Sequence, residues 1–166
     1  MKKIPADDRR ARYRASDESI DRDGLRDHLA GKHQWVLATT RTDGRPQMSL
    51  VTGGLTADGR LAIASYPSRA KVKNARRNPD VSVLVMGDGF QGAWLQVDGR
   101  ATVLDMPDPA AADALVAYFR CISGEHDDWD DYRQAMEDQG KSAIMIEPTR
   151  WSPVSKGGFP PELFED

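Results

Sequence analysis

One cysteine, Cys121, stands in the whole chain, so no internal disulfide can form, and the chain suits a reducing compartment. Histidine is scarce as well: His28, His33 and His126 are the only three, and none sits at ligand spacing from another histidine or a cysteine. A zinc site needs three or four such ligands, so these are read as surface or hydrogen-bonded side chains, with no metal expected. There is no excess of positive charge. The formal net charge is −3, which gives no overall field to attract nucleic acid. No apolar run approaches the roughly 20 residues of a membrane-spanning helix. The first residues, Met1 to Asp8, are charged and lack the apolar stretch of a signal peptide. The expected location is therefore the cytoplasm, with no membrane and no nucleic acid as partner. Internal repeats, low-complexity tracts and a Gly-x-Ser-x-Gly elbow are all missing, and Cys121 lies in an apolar helical pattern with no activating base in view.

What is present is an ordinary globular balance, 39% hydrophobic and 30% charged in 166 residues, enough for one domain with a buried core. Residues 1–16 are polar and carry Arg9, Arg10, Arg12 and Arg14, which predicts a flexible N-terminal arm. The domain is expected over residues 17–151, with a Pro- and Gly-rich tail over 152–166. Ser16 or Asp17 can cap a short helix carrying Ile20, Leu25 and Leu29, which ends near Gly31.

The hydrophobic period then changes to two. Strands are predicted over 35–40, 46–55 and 61–66, separated by the turn pairs Asp43-Gly44 and Asp58-Gly59. Pro67-Ser68 opens a basic helix over 69–78 that Pro79 closes, and a strand follows over 81–86. Residues 93–97 and 100–104 flank Asp98-Gly99, a hairpin signal. Helices are expected from 107 to about 121 and over 129–137, with a last strand over 142–147. Short strands joined by tight turns predict a mainly β, α+β architecture: a six-stranded antiparallel split barrel with flanking helices.

Three segments bear on chemistry. Gly87-Asp88-Gly89-Phe90-Gln91-Gly92 fits G-x-G-x-x-G literally, but a strand pattern follows it, whereas a dinucleotide site needs a helix there to face the pyrophosphate. It is read as a hairpin loop. The acidic block from Glu125 to Asp131 holds five carboxylates around Trp129; acid/base work or calcium is conceivable on composition, but Asp127 or Asp128 capping a helix is the simpler reading.

The segment from Ser68 to Arg77 holds five cations and no acid. With Ser68 as N-cap, free amides and the positive end of the helix dipole would lie beside Arg69 and Lys71. That placement is unfavourable unless an anion sits between them, and a phosphate would satisfy amides, Arg69 and Lys71 together. A solvated basic helix face is the alternative that the residues alone leave open.

Pro46-Gln47-Met48-Ser49, together with Arg69-Ala70-Lys71-Val72-Lys73-Asn74 and the following Asn78-Pro79 before a strand, resembles the pyridoxamine 5'-phosphate oxidase-like, flavin-binding split-barrel superfamily. Residues 122–136 resemble its actinobacterial branch that uses the deazaflavin coenzyme F420. The likeness spans about residues 24–150. It implies a homodimer with the cofactor in the groove between subunits. It implies that Ser49, Leu50, Val51 and Thr52 line the ring with backbone groups, that Arg69, Ala70, Lys71, Val72, Lys73 and Asn74 hold the phosphate and ribityl chain, and that Phe90 and Gln91 reach the cofactor. The activity implied is hydride transfer from reduced F420 to conjugated double bonds of small molecules such as lactones, coumarin-like compounds, quinones or tetrapyrroles. FMN as cofactor, in an oxidase or reductase, is the first alternative; a non-enzymatic binder of cofactor or tetrapyrrole is the second. No side chain is assigned as proton donor. Gly53-Gly54 after the ring-lining strand are read as room for polycyclic substrates or as a strand bulge.

Overall fold

Period-two alternation along the strands decides which side chains face inward, and a barrel follows from it. The protein is described by a computed structural model over residues 3–89 and 91–165. Its strands are β1 (Ser16–Glu18), β2 (Gln34–Thr40), β3 (Pro46–Leu55), β4 (Leu61–Ser65), β5 (Asp80–Val85), β6 (Leu95–Asp105), β7 (Ser142–Trp151) and β8 (Val154–Lys156). Its helices are α1 (Arg22–Leu29), α2 (Ala70–Arg77), α3 (Pro109–Ser123) and α4 (Trp129–Asp138). Six strands close into a barrel in the order β2-β3-β4-β7-β6-β5, each pair antiparallel, as the turn-rich pattern predicts. No described helix is long and apolar enough to cross a membrane.

Alternate residues fill the interior: Trp35 and Leu37 from β2, Leu61 and Ile63 from β4, Val81, Val83 and Val85 from β5, Ile144 and Ile146 from β7. The strands β4 and β7 read as unbroken apolar runs because their outer faces are covered too. Ala62, Ala143 and Met145 pack outward against Leu115 and Val116 of α3 and Tyr132 of α4, forming a second core outside the barrel. The Tyr132 hydroxyl, buried there, donates to the Leu115 carbonyl at 3.1 Å. The acidic block starts α4 as a cap: the Asp128 carboxylate accepts from the amides of Asp130 and Asp131 at 3.0 Å each.

Four expectations change. Asp98-Gly99 is not a hairpin: β6 runs straight through it with a bulge against β7, and a Cβ on Gly99 would lie 2.5 Å from the Glu147 carbonyl oxygen. Paired on both sides, this stretch has no freedom to turn back. The first helix is capped by Asp21, whose side chain accepts from the Gly24 amide, because Ser16 and Asp17 are drawn into β1 against β8. The ends of the chain, expected as a flexible arm and a tail, lie against each other: Ile4 is buried, and its amide donates to the Leu163 carbonyl at 2.6 Å. Gly53-Gly54 neither bulge nor leave open room; both are buried in register with β4, and a Cβ would meet the Trp35 ring at 2.0 Å or the Cys121 sulfur at 2.3 Å. The missing side chains are the space that Trp35 and Cys121 fill.

Candidate functional site

The start of α2 follows directly on the end of β4, through Tyr66, Pro67 and Ser68. Arg69, not Ser68, occupies the N-cap position, and no side chain caps the helix. The Arg69 amide donates back to the Tyr66 carbonyl at 3.0 Å, so this residue closes the turn that Ser68 was expected to end. The amides of Ala70 and Lys71 have no backbone acceptor among the described residues. Two orphan donors and the positive end of the helix dipole therefore face outward at this point.

Beside this helix start lies a cleft of about 310 Å³ walled by Leu50, Val51 and Thr52 of β3, Ala64 and Ser65 of β4, Tyr66, Arg69, Lys71, Tyr118 of α3, and Lys141. Three cations line it and no carboxylate does. None of the three is in an ion pair among the described residues, whereas Arg76 of the same helix pairs with Asp105 and Arg77 donates to the Thr40 carbonyl and to Asn74. Burial, and then the nearby charge of Arg69, hold the Lys71 ammonium below its usual pKa. Burial likewise raises the Tyr118 phenol, with Cys121 adding to the effect. The Lys141 ammonium sits over the Tyr66 ring, 4.1 Å from its centre, which fixes both side chains at the rim.

The sequence-predicted residues divide here. Leu50, Val51, Thr52, Arg69 and Lys71 come together in the cleft; Ala70, the first residue of α2, does not line it. Val72 is wholly buried in the barrel core, and Lys73 is exposed and does not line the cleft. Asn74 is also buried and does not face the cleft; its amide nitrogen donates to the Thr39 hydroxyl at 3.1 Å, and its oxygen accepts from Arg77 at 2.9 Å. Thr39 in turn donates to the Gln47 side chain, which donates to the Ser49 hydroxyl at 2.7 Å. Ser49 thus ends a polar chain that ties α2 across β2 to β3. Gln91 lines a different cavity, and Phe90 falls outside the described residues.

Lys141, Tyr66 and Tyr118 were not found from sequence. Tyr66 read as the last residue of a strand, and no motif singled out Tyr118 or Lys141. Only the closing of β4 onto β7 brings Lys141 to the same end as α2. Cys121 is inert: burial pushes its thiol up to about 11, and its sulfur donates to the Tyr118 carbonyl. His33 shares a hydrogen bond with the Gly53 carbonyl and His126 accepts from the Asp128 amide, but His28 departs from expectation, its Nε2 buried without a partner.

A closed six-stranded barrel, with a helix start and a covering helix framing an acid-free cationic cleft, defines a split-barrel domain. The chain belongs to the pyridoxamine 5'-phosphate oxidase family, whose sequence profile matches residues 22–155. This is a family of flavin-type oxidoreductases that binds flavin-type cofactors. Among solved structures, a conserved hypothetical protein from Mycobacterium tuberculosis is similar at a TM-score of 0.68 and 20% identity, covering 84% of this chain and 87% of that one. An F420 reductase is similar at 0.55 and 25% identity over 75% of this chain and 92% of that one. A heme storage protein from Vibrio cholerae is similar at 0.62 and 16% identity over 81% and 95%. The first and third likenesses are of fold alone.

Proposed function

We propose that the protein is a cytoplasmic, homodimeric reductase that uses the deazaflavin coenzyme F420 to reduce conjugated double bonds of small organic molecules. The observation that carries this reading is the cleft's charge: Arg69, Lys71 and Lys141, with the free amides of Ala70 and Lys71, and no acid to balance them. A cation held below its usual pKa by burial fits a phosphorylated group, because the anion would offset the cost of desolvating the ammonium. The similarity to an F420 reductase at 25% identity supports the deazaflavin over FMN.

Arg69, Lys71 and the two amides would hold the phosphate, and the backbone of Leu50, Val51 and Thr52 would flank the ring system. Lys141 lies where a further anionic group of the cofactor can be read. When bound, reduced F420 supplies a hydride to an electron-poor double bond. The apolar wall of Leu50 and Val51 keeps water from the ring face, and solvent at the open rim supplies the proton.

The test begins with the colour of the purified protein, then titrates it with F420 and with FMN, and last supplies reduced F420 with a quinone or an unsaturated lactone. F420 is expected to bind more tightly than FMN, and turnover should follow. Lys71→Gln should weaken F420 by about 1.5–3 kcal/mol, the scale of a charge-assisted contact. A yellow protein that releases FMN would give the FMN alternative; tight F420 binding without turnover of any acceptor would leave a binder. Undiminished affinity in Lys71→Gln would remove the phosphate from this cleft.

A further inference from the structure

Besides its cations, the cleft beside α2 holds a phenol that no neighbour uses, that of Tyr118 on α3. Two other tyrosines at this end of the molecule have their hydroxyls engaged: Tyr66 donates to the Gln139 side chain at 3.5 Å and Tyr132 to the Leu115 carbonyl at 3.1 Å. The Tyr118 hydroxyl has no hydrogen-bond partner among the described residues. It is not sealed in the interior either, since His28 Nε2 is the one unpartnered buried side-chain atom among them. A polar group left open on a cleft wall is free to bind what enters.

Tyr118 is also firmly mounted. Asp108 caps the start of α3, its carboxylate accepting from the Ala110 amide at 2.8 Å, and Ala114, Leu115 and Val116 pack with Ala62, Ala143 and Met145 of the barrel wall. One turn beyond Tyr118, Cys121 and Ile122 fill the space over Gly54, and the Cys121 sulfur donates to the Tyr118 carbonyl at 3.0 Å. The Tyr118 ring itself packs against the second core. A donor carried on a helix held in this way is in place before anything binds.

Its chemistry is set by its surroundings. Burial raises the phenol above its usual pKa, and Cys121 adds to the effect, so the hydroxyl keeps its proton at neutral pH and acts as a donor. Thr52 and Ser65 also bring hydroxyls to the cleft, but an alcohol is a far weaker acid than a phenol and does less for a developing oxyanion. The cations are matched to anionic groups in the reading above. Tyr118 is the neutral, acidic donor left for an uncharged oxygen.

We propose that Tyr118 is a catalytic residue: its hydroxyl donates to the carbonyl oxygen of an α,β-unsaturated substrate and holds that oxygen as it becomes an enolate. This rests on the reading of the cleft as a hydride-transfer site. The hydride adds to the β-carbon, the double-bond pair shifts toward the carbonyl, and the oxygen takes the negative charge under the Tyr118 hydroxyl. A solvent proton added at the α-carbon then restores the carbonyl. The substrate gains one hydride and one proton, and Tyr118 ends as it began. An acceptor without a carbonyl gives Tyr118 nothing to hold.

Two measurements on the full chain test this, both with Tyr118→Phe, which keeps the packed ring. In the first, p-nitrophenol is titrated with oxidised F420 at saturation, at a pH where the phenol is half ionised. Its phenolate oxygen stands in for the enolate, and its colour reports which form binds. Wild type should take the phenolate, and the variant should bind it about tenfold more weakly while holding F420 within about twofold. In the second, reduced F420 is supplied with cyclohexenone or with N-methylacridinium, a hydride acceptor that has no oxygen. The variant should lose about a hundredfold in kcat for the enone, the scale of one missing oxyanion donor, and stay within about threefold for the acridinium. Equal phenolate affinity in the two proteins, or no phenolate binding by wild type, overturns the role. So does a fall in F420 affinity as large as the fall for the phenolate, which would make Tyr118 part of the cofactor's hold. The two failures are distinguishable: F420 bound and turned over with Tyr118→Phe indifferent strikes Tyr118 alone, whereas a wild type that binds no F420 removes the reading beneath it.

Discussion

Lys71 shows how much one side chain contributes to the cleft. Burial lowers its pKa and the Arg69 charge adds to the shift. In the folded protein the ammonium therefore loses its proton at lower pH than it would unfolded. Between those two values the unfolded chain binds more protons, so the sign is plain: Lys71 costs stability while charged, and that cost fades as pH rises through its folded value. A bound anion works the other way, favouring the charged form. Anion affinity should accordingly fall as pH climbs from neutral toward about 10, the ordinary lysine range, while a guanidinium would stay charged throughout. Calorimetric titration with inorganic phosphate checks this: wild type should lose affinity over that interval and Lys71→Arg should not. Parallel profiles for the two proteins would show that Lys71 does not touch the anion.

At the scale of elements, the cleft depends on α2 being held at a fixed angle to β2 and β3. The polar chain from Arg77 through the buried Asn74 and Thr39 to Gln47 and Ser49 does this. Removing the Asn74 amide would take a donor from the buried Thr39 hydroxyl, a group with little water to turn to. Asn74→Ala should cost about 1–3 kcal/mol, read as a lower urea midpoint with unchanged slope. A midpoint equal to wild type would mean the chain is incidental. Much of this layout was legible in the sequence. The bounds of β3 and the start of α4 followed from turn residues and from the change of hydrophobic period, which are local signals. Asn74 was legible as part of a motif but not as a strut, because the partner it ties to, Thr39, is 35 residues away on β2. Asp98-Gly99 misled for the opposite reason: a strong local turn signal yielded to pairing with strands on both sides. The chain ends misled because polar composition says nothing of backbone pairing, and β1 with β8 is held by backbone groups.

The whole molecule leaves one apolar surface beside its cationic cleft. Along β3 the outward side chains include Met48 and Leu50, 68% and 81% exposed, which share one face of the strand. Leu50 also lines the cleft, so the apolar patch and the cationic wall are continuous. A groove completed by a second copy would bury this patch and close the open side of the cleft in one step, which is the arrangement the family resemblance implies. Light scattering should then give twice the 18.4 kDa of one chain. The double substitution M48D/L50D places two like charges on the seam without touching the barrel interior. It should return the mass of a single chain and weaken F420 by about tenfold or more, because one wall of the groove departs with the partner. A wild-type protein that holds F420 at full affinity with the mass of one chain would show the cleft to be complete in itself, and the exposed leucine and methionine would then need another explanation.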